Sequence, residues 1–204
     1  MTPRVWVTQR VEILRDRGER RDALDQRWIP FVAKAGGQAR PVPNDKAWVQ
    51  AALAEETPAV LLLTGGNSLL SCGGDAPERD AVENMLLDAC EERGVPVLGV
   101  CRGMQLLLER CGATLQPVKG HVAAEQVILI KGKPAQVNSY HDHGALTVPE
   151  DFKVWAEAED GVIKAVQHRR QRWTGIMWHP ERLSPFPPRD VELLAGMIKD
   201  GERR

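Results

Sequence analysis

The sequence predicts an α/β fold with a central, mostly parallel sheet. Three observations carry that expectation. Residues 59–63 and 95–100 are short, almost wholly apolar runs, which suit strands covered on both faces by helices. Each leads into a glycine-bearing turn, Thr64-Gly65-Gly66 and Gly99-Val100-Cys101-Arg102-Gly103. Stretches with helical spacing lie between and after them, and strand–helix–strand–helix order implies parallel strands joined by crossover helices.

The elements follow in order. Val5-Trp6-Val7-Thr8 reads as the first strand. Residues 19–35 have helical spacing and stop at Gly36-Gly37, a normal helix terminator. Residues 38–42 fit a short second strand. Residues 45–55 fit a helix opened by Asn44 or Asp45, both good N-caps. Residues 78–93 form the clearest helix. Glu78 and Asp80 come early and Arg93 late, as the helix dipole favours. Val82, Met85, Leu86, Ala89 and Cys90 fall near one face, and Gly94 ends it. Residues 102–111 return to helix, with Gly112 behind.

The second half has shorter strand candidates, at 126–130, 135–138, 152–158 and 162–167. They suggest a smaller antiparallel β element in the C-terminal half. His168-Arg169-Arg170-Gln171-Arg172 looks like a basic hairpin tip. Residues 174–178 are a last strand, and residues 190–199 close the chain as a helix after a proline-rich stretch. No repeat or linker divides the sequence, so one domain over residues 1–204 is expected.

A net charge of -1 provides no field for nucleic acid or a membrane surface. No apolar run approaches the roughly 20 residues that span a bilayer. The start, Met1-Thr2-Pro3-Arg4-Val5-Trp6, lacks the features of a signal peptide, so a cytoplasmic location is expected. Cys72, Cys90, Cys101 and Cys111 form no CxxC pair or metal-like spacing. They read as free thiols, and neither a metal nor an organic cofactor is implied.

One of them stands apart. Cys101 sits in a G-x-C-x-G turn that follows a buried strand and opens a helix. This is the thiol form of a nucleophile elbow. The turn is strained and crowded, hence glycine on both sides. A helix N-terminus favours thiolate. The Arg102 side chain could add positive potential, and its backbone N–H faces the space where an oxyanion would form. Cys90 and Cys111 look like core, and Cys72 lies in a loop. A cysteine nucleophile needs a base, and the base needs an orienting group. His179 ends a strand, and Glu181 follows two residues on with Pro180 stiffening the link. Gly66, after the preceding buried strand, is the choice for a second oxyanion donor.

Gly-Val-Cys101-Arg-Gly-Met-Gln105, His179-Pro-Glu181 and the upstream Thr-Gly-Gly66 together resemble the class I glutamine amidotransferases, and more nearly their γ-glutamyl hydrolase branch. The resemblance implies a flavodoxin-like three-layer fold and a Cys101–His179–Glu181 triad. It further implies a thioester to a γ-glutamyl carbonyl, resolved by water. By the same resemblance Gln105 holds the amino-acid end of the substrate, and the segment Asn138, Ser139, Tyr140 and His141 lies across the glutamyl group. Tyr140 and His141 could equally be ordinary strand-end residues. His143 and His168 look like surface residues, and His121 stays open.

Two features depart from the commoner branch. The Gly-Gly loop continues as Asn67-Ser68-Leu69-Leu70, and the chain is short. These and the stretches Val7 to Arg10 and Glu19 to Trp28 resemble γ-glutamyl-CDP-amidate hydrolases of capsular phosphoramidate synthesis. That resemblance implies a small-molecule substrate: a γ-glutamyl nucleotide diphosphate, split to glutamate and cytidine diphosphoramidate. Asn67 and Arg10 join the substrate-binding candidates. Arg20, Arg21, Arg102 and Arg182 are further candidates for the diphosphate, since guanidinium groups bind phosphate in a bidentate way. Arg20 and Arg21 could instead be a solvated helix start. Trp28 could stack on a base or lie in the core. A hydrolase of small γ-glutamyl amines or peptides, and a glutaminase subunit that passes ammonia to a synthase partner, share the same constellation.

Overall fold

Apolar residues alternate along short strands and so build a sheet with two buried faces. The computed structural model describes residues 2–203; Met1 and Arg204, the ends of the expected domain, lie outside the described residues. The elements are β1 (Arg4–Thr8), β2 (Arg10–Leu14), β3 (Glu19–Ala23), α1 (Trp28–Lys34), β4 (Gln38–Val42), α2 (Lys46–Glu55), β5 (Val60–Leu63), α3 (Pro77–Arg93), β6 (Val97–Val100), α4 (Arg102–Arg110), β7 (Gln116–Pro117), β8 (Val122–Ile130), β9 (Lys133–Tyr140), β10 (His143–Gly144), β11 (Phe152–Glu157), β12 (Ile163–His168), β13 (Trp173–Ile176) and α5 (Pro188–Glu202).

Among the described residues nine strands form one sheet in the order β4-β1-β5-β6-β13-β12-β11-β8-β9. The first five are parallel neighbours. Counted in chain order they run 2-1-3-4-5, the flavodoxin-like arrangement. From β13 onward every pairing is antiparallel. The antiparallel element expected in the C-terminal half therefore extends the main sheet. Trp6, Leu61, Leu63 and Val97 face one layer, with α2, α3 and α4 supplying Val49, Leu86 and Leu107. Val5, Val7, Leu62, Leu98 and Val100 face the other, where α1 and α5 supply Phe31, Val32, Leu194 and Ile198. No helix among the described residues is long and apolar enough to cross a membrane.

Residues 19–35 are not one helix, which corrects the helical reading of that stretch. Residues 19–23 are β3, which pairs with β2 as an antiparallel hairpin, and only Trp28–Lys34 is helical. Gly18 takes the left-handed conformation in the turn, at φ 64, and Glu12 lies opposite Arg21 across the ladder, a favourable cross-strand pair. The Asn67 side chain fastens the hairpin by bonding both the N–H and the C=O of Val11, at 2.8 and 2.9 Å. These tertiary contacts override the good local helix propensity of residues 19–27. In the second helix the cap is Asp45, whose carboxylate accepts from the Trp48 N–H at 2.7 Å.

Candidate active site

The carboxyl ends of β5, β6 and β13 lie side by side, and each carries one part of the site. Cys101 follows β6 with φ 53 and ψ -105, a conformation that is strained for a side chain larger than glycine and concentrates at functional positions. The glycines on either side are required by close approach. A Cβ on Gly99 would meet the Gly103 backbone at 2.6 Å, and one on Gly103 would meet Leu63 Cβ at 2.7 Å. The elbow can therefore pack tightly against β5 only as this sequence. Its backbone is tied in by the Cys101 N–H, which donates to the Ile176 carbonyl at 2.7 Å.

His179 lies beyond β13, and its Nδ1 is 2.8 Å from Glu181 Oε1, with both side chains almost fully buried. Glu181 accepts only at that oxygen, so Nδ1 carries the proton and Nε2 is turned toward Cys101. Burial alone would lower the imidazole, but hydrogen bonds with Cys101 and Glu181 outweigh it and raise its pKa to about 9. Gly65 stands between the two loops. A Cβ there would lie 2.5 Å from His179 Cε1, 3.3 Å from Nε2 and 3.4 Å from Cys101 Cβ. Tyr140 completes the enclosure, with its ring edge-on to the imidazole at 5.8 Å and its carbonyl 3.9 Å from the Cys101 sulfur.

Two clefts open beside these residues and share Gly66. One, of about 370 Å³, is lined by Cys101, Gly66, Asn67, Arg102, Gln105, Tyr140 and His141. The other, of about 170 Å³, is lined by Arg10, Trp28, Gly65, Gly66, His179 and Arg182, among others. Most of the residues singled out in the sequence thus converge. Several do so in unexpected roles. The Asn138 amide donates to the His179 carbonyl at 2.8 Å and accepts from its N–H at 2.7 Å, so it positions the imidazole. Ser139 donates to the His121 carbonyl at 2.8 Å. Asn67 spends its side chain on Val11. Gln105 lines the larger cleft while its amide donates to the His143 carbonyl at 2.8 Å.

The remaining expectations fall differently. The Arg102 guanidinium is buried and paired with Asp80 and Glu83, so it adds no free positive charge beside Cys101. Arg20 bonds Glu78 and the Asp75 carbonyl, Arg21 bonds Glu19, and neither lines either of these two clefts. Trp28 is a core residue packed edge-on to Phe31. Cys72 and Cys111 are half-buried, and burial pushes both thiols up. His143 lines the Cys101 cleft, and His168 is wedged between Phe152 and Trp173. His121 is buried, with Nε2 2.9 Å from Asp160.

Two buried cations were missed by the sequence reading. Arg79 donates to the carbonyls of Thr64 at 2.7 Å and Gly65 at 3.2 Å, to the Gly66 carbonyl, and to Glu83 at 2.9 Å. A trans peptide points its N–H away from its C=O. Arg79 therefore turns the Gly66 N–H to the opposite side of the loop. Lys164, on β12, donates to Ser139 Oγ at 3.0 Å and His141 Nε2 at 2.7 Å. With Nδ1 2.9 Å from the His143 carbonyl, His141 is held as the neutral Nδ1–H tautomer. In each case the signal was a charge on an otherwise apolar register. Arg79 precedes Val82 and Leu86 on one helix stripe, and Lys164 stands within Val162 to Val166.

The family model for glutamine amidotransferase class-I matches residues 32–194. A γ-glutamyl-CDP-amidate hydrolase from Campylobacter jejuni is 32% identical over 124 residues, covering 60% of this chain and 62% of that protein. An anthranilate synthase from Azospirillum brasilense is 35% identical over 147 residues, covering 66% of this chain and 19% of that protein. The chain thus spans less than two thirds of the length of either relative. The crystal structure of a protein described as a GMP synthase subunit, from Thermoplasma acidophilum, superposes with a TM-score of 0.76. It is 15% identical and covers 100% of this chain and 97% of that one. The chain belongs to the class-I glutamine amidotransferase family.

Proposed function

We propose that the chain hydrolyses a γ-glutamyl amide with Cys101 as nucleophile, His179 as base and acid, and Glu181 as its orienting carboxylate. The observation that carries this reading is the meeting of the Cys101 elbow with the His179–Glu181 pair across Gly65. The Cys101 sulfur attacks the γ-carbonyl carbon, and the N–H groups of Gly66 and Arg102 receive the oxyanion. The C–N bond breaks as His179 gives its proton to the departing nitrogen, leaving a glutamyl thioester. Water then attacks that carbonyl while His179 takes its proton. The C–S bond breaks, glutamate leaves, and the thiolate–imidazolium pair is restored. Gln105 and the backbone of Tyr140 and His141 hold the amino-acid end, with Asn67, Asn138 and Ser139 shaping that cleft.

For the substrate, the Campylobacter relative and the arginines near the smaller cleft favour γ-glutamyl-CDP-amidate, which would be released as glutamate and cytidine diphosphoramidate. A second reading, glutamine hydrolysis with ammonia passed to a synthase partner, is favoured by the anthranilate synthase relative. Glutamate release from γ-glutamyl-CDP-amidate, glutamine and a γ-glutamyl amine separates them. The nucleotide is expected to react fastest, and equal rates on all three refute it. Turnover of glutamine only with an added partner supports the second reading. Cys101→Ala should abolish release in every case. Unimpaired activity in that variant sinks the mechanism.

A further inference from the structure

A γ-glutamyl amide has two ends to place, and the site has two clefts. If the proposed function holds, the glutamyl end sits with Cys101, Gln105 and Tyr140. The departing nitrogen then takes its proton from His179, so the leaving group lies on the His179 side of the Gly65-Gly66 loop. The smaller cleft is on that side. It opens at the carboxyl ends of β1 and β5, where the strand order reverses, the usual ligand position in an open α/β sheet. Its outer wall is the β2–β3 hairpin, which lies outside the 32–194 segment that matches the family.

The charges around the cleft do not cancel. Arg10 crosses the loop where Gly66 has no side chain, since a Cβ there would sit 2.8 Å from Arg10 Cδ, and it pairs with Glu12. Asp25 is held at about 2 by its hydrogen bond to Arg27. Glu181 is taken by His179. Glu12, Asp25 and Glu181 each have a nearer cation, so Arg182 has only a share of Glu181. Its Nε forms no hydrogen bond and stands 3.4 Å from the already engaged Glu181, and its guanidinium lies over the Tyr140 ring at 4.8 Å.

We propose that this cleft is a leaving-group subsite for a phosphoryl group attached to the departing nitrogen, held by Arg182 with Arg10, and that the β2–β3 hairpin is its specificity element. A planar guanidinium fork matches a tetrahedral oxyanion. The enclosed space takes the group next to the scissile bond, and anything larger runs out along the hairpin.

The test compares glutamate release from γ-glutamyl aminomethylphosphonate and from γ-glutamyl neopentylamide, a neutral substrate of similar shape. Wild type is expected to favour the phosphonate at least tenfold in kcat/KM. Arg182→Met should reduce that ratio about tenfold or more, Arg182→Lys less, and Arg10→Met by a smaller factor. A wild-type ratio near one, or a ratio unchanged by both Arg182→Met and Arg10→Met, overturns the proposal. Calorimetry with aminomethylphosphonate itself tests the subsite without turnover. Binding to the wild-type chain that Arg182→Met weakens tenfold supports it even if neither amide is cleaved, an outcome that would defeat the hydrolase reading alone. Equal binding by wild type and both variants, or no binding to wild type, overturns it.

Discussion

The two walls of the Cys101 cleft are held by buried cations of opposite character. On the parallel side Arg79 and Arg102 are matched by Glu83 and Asp80. Burial favours the neutral form of Glu83, but Arg102 and Arg79 override it and hold the carboxyl below its usual range. Arg79 is lowered by burial only to about 10. Glu83 and Arg79 therefore keep their charges across the whole neutral range. On the antiparallel side Lys164 has neutral hydrogen-bond partners, Ser139 and His141, and burial lowers it to about 8. Burial, then the Lys164 charge, lower His141 to about 3. Both walls fix polar backbone beside a nucleophile. One does it with compensated ion pairs, the other with groups whose protonation differs between the folded and unfolded chain.

The comparison breaks first at Arg79. Removing one partner from a buried ionic cluster costs about 3–5 kcal/mol, because the other charge is stranded. Arg79→Met should therefore lose stability on that scale in urea unfolding, and should also release the Gly65-Gly66 loop and lower kcat. A loss under about 1 kcal/mol would show that the cluster is not an anchor.

The second test is acid. His141 has a lower pKa folded than unfolded, so the unfolded chain binds more protons between about pH 6.5 and pH 3. Stability contributed by neutral His141 is present above that window and is lost as pH falls through it, at up to about 1.4 kcal/mol per pH unit. His179 has the opposite sign: with a folded pKa of about 9, its contribution is present below about pH 6.5 and fades as pH rises toward 9. Urea midpoints of His141→Gln between pH 4 and 6.5 should decline less steeply than wild type. Parallel declines would remove His141 as the acid-sensitive group.

The smallest stability effect is expected at Lys164. Replacing a buried, poorly compensated charge by an apolar side chain of similar length is often neutral. The loss of its hydrogen bonds to His141 and Ser139 works against that gain. Lys164→Met should change stability by only about 1 kcal/mol near pH 7, while KM for the γ-glutamyl substrate rises because the 138–141 segment loosens. A loss as large as that of Arg79→Met would erase the difference between the walls.

Local pattern made much of this legible. The apolar runs before Thr64 and Cys101 became central strands, and the spacing around Cys101 specified a tight elbow because both neighbouring glycines have no room for a Cβ. His179 and Glu181, two residues apart, formed their hydrogen bond as the spacing allows. The hairpin was not legible: residues 19–27 carry good helix formers, and what makes residues 19–23 a strand is Asn67 bonding Val11 and Asp22 bonding Asn44. Those contacts join positions far apart in the chain. The same is true of Asn138, whose side chain brackets His179 across 41 positions.

The sequence by itself determined the parallel half of the sheet, the elbow and the composition of its partners, because strand burial and turn sterics act over a few neighbouring residues. Only the tertiary structure decided which charges are spent and which are free. Arg102 is consumed by Asp80 and Glu83, Arg79 clasps the loop, and Arg182 is left with its Nε unbonded beside the cleft. A charge's role depends on its partners and its burial, and both are set by packing between elements distant in the chain.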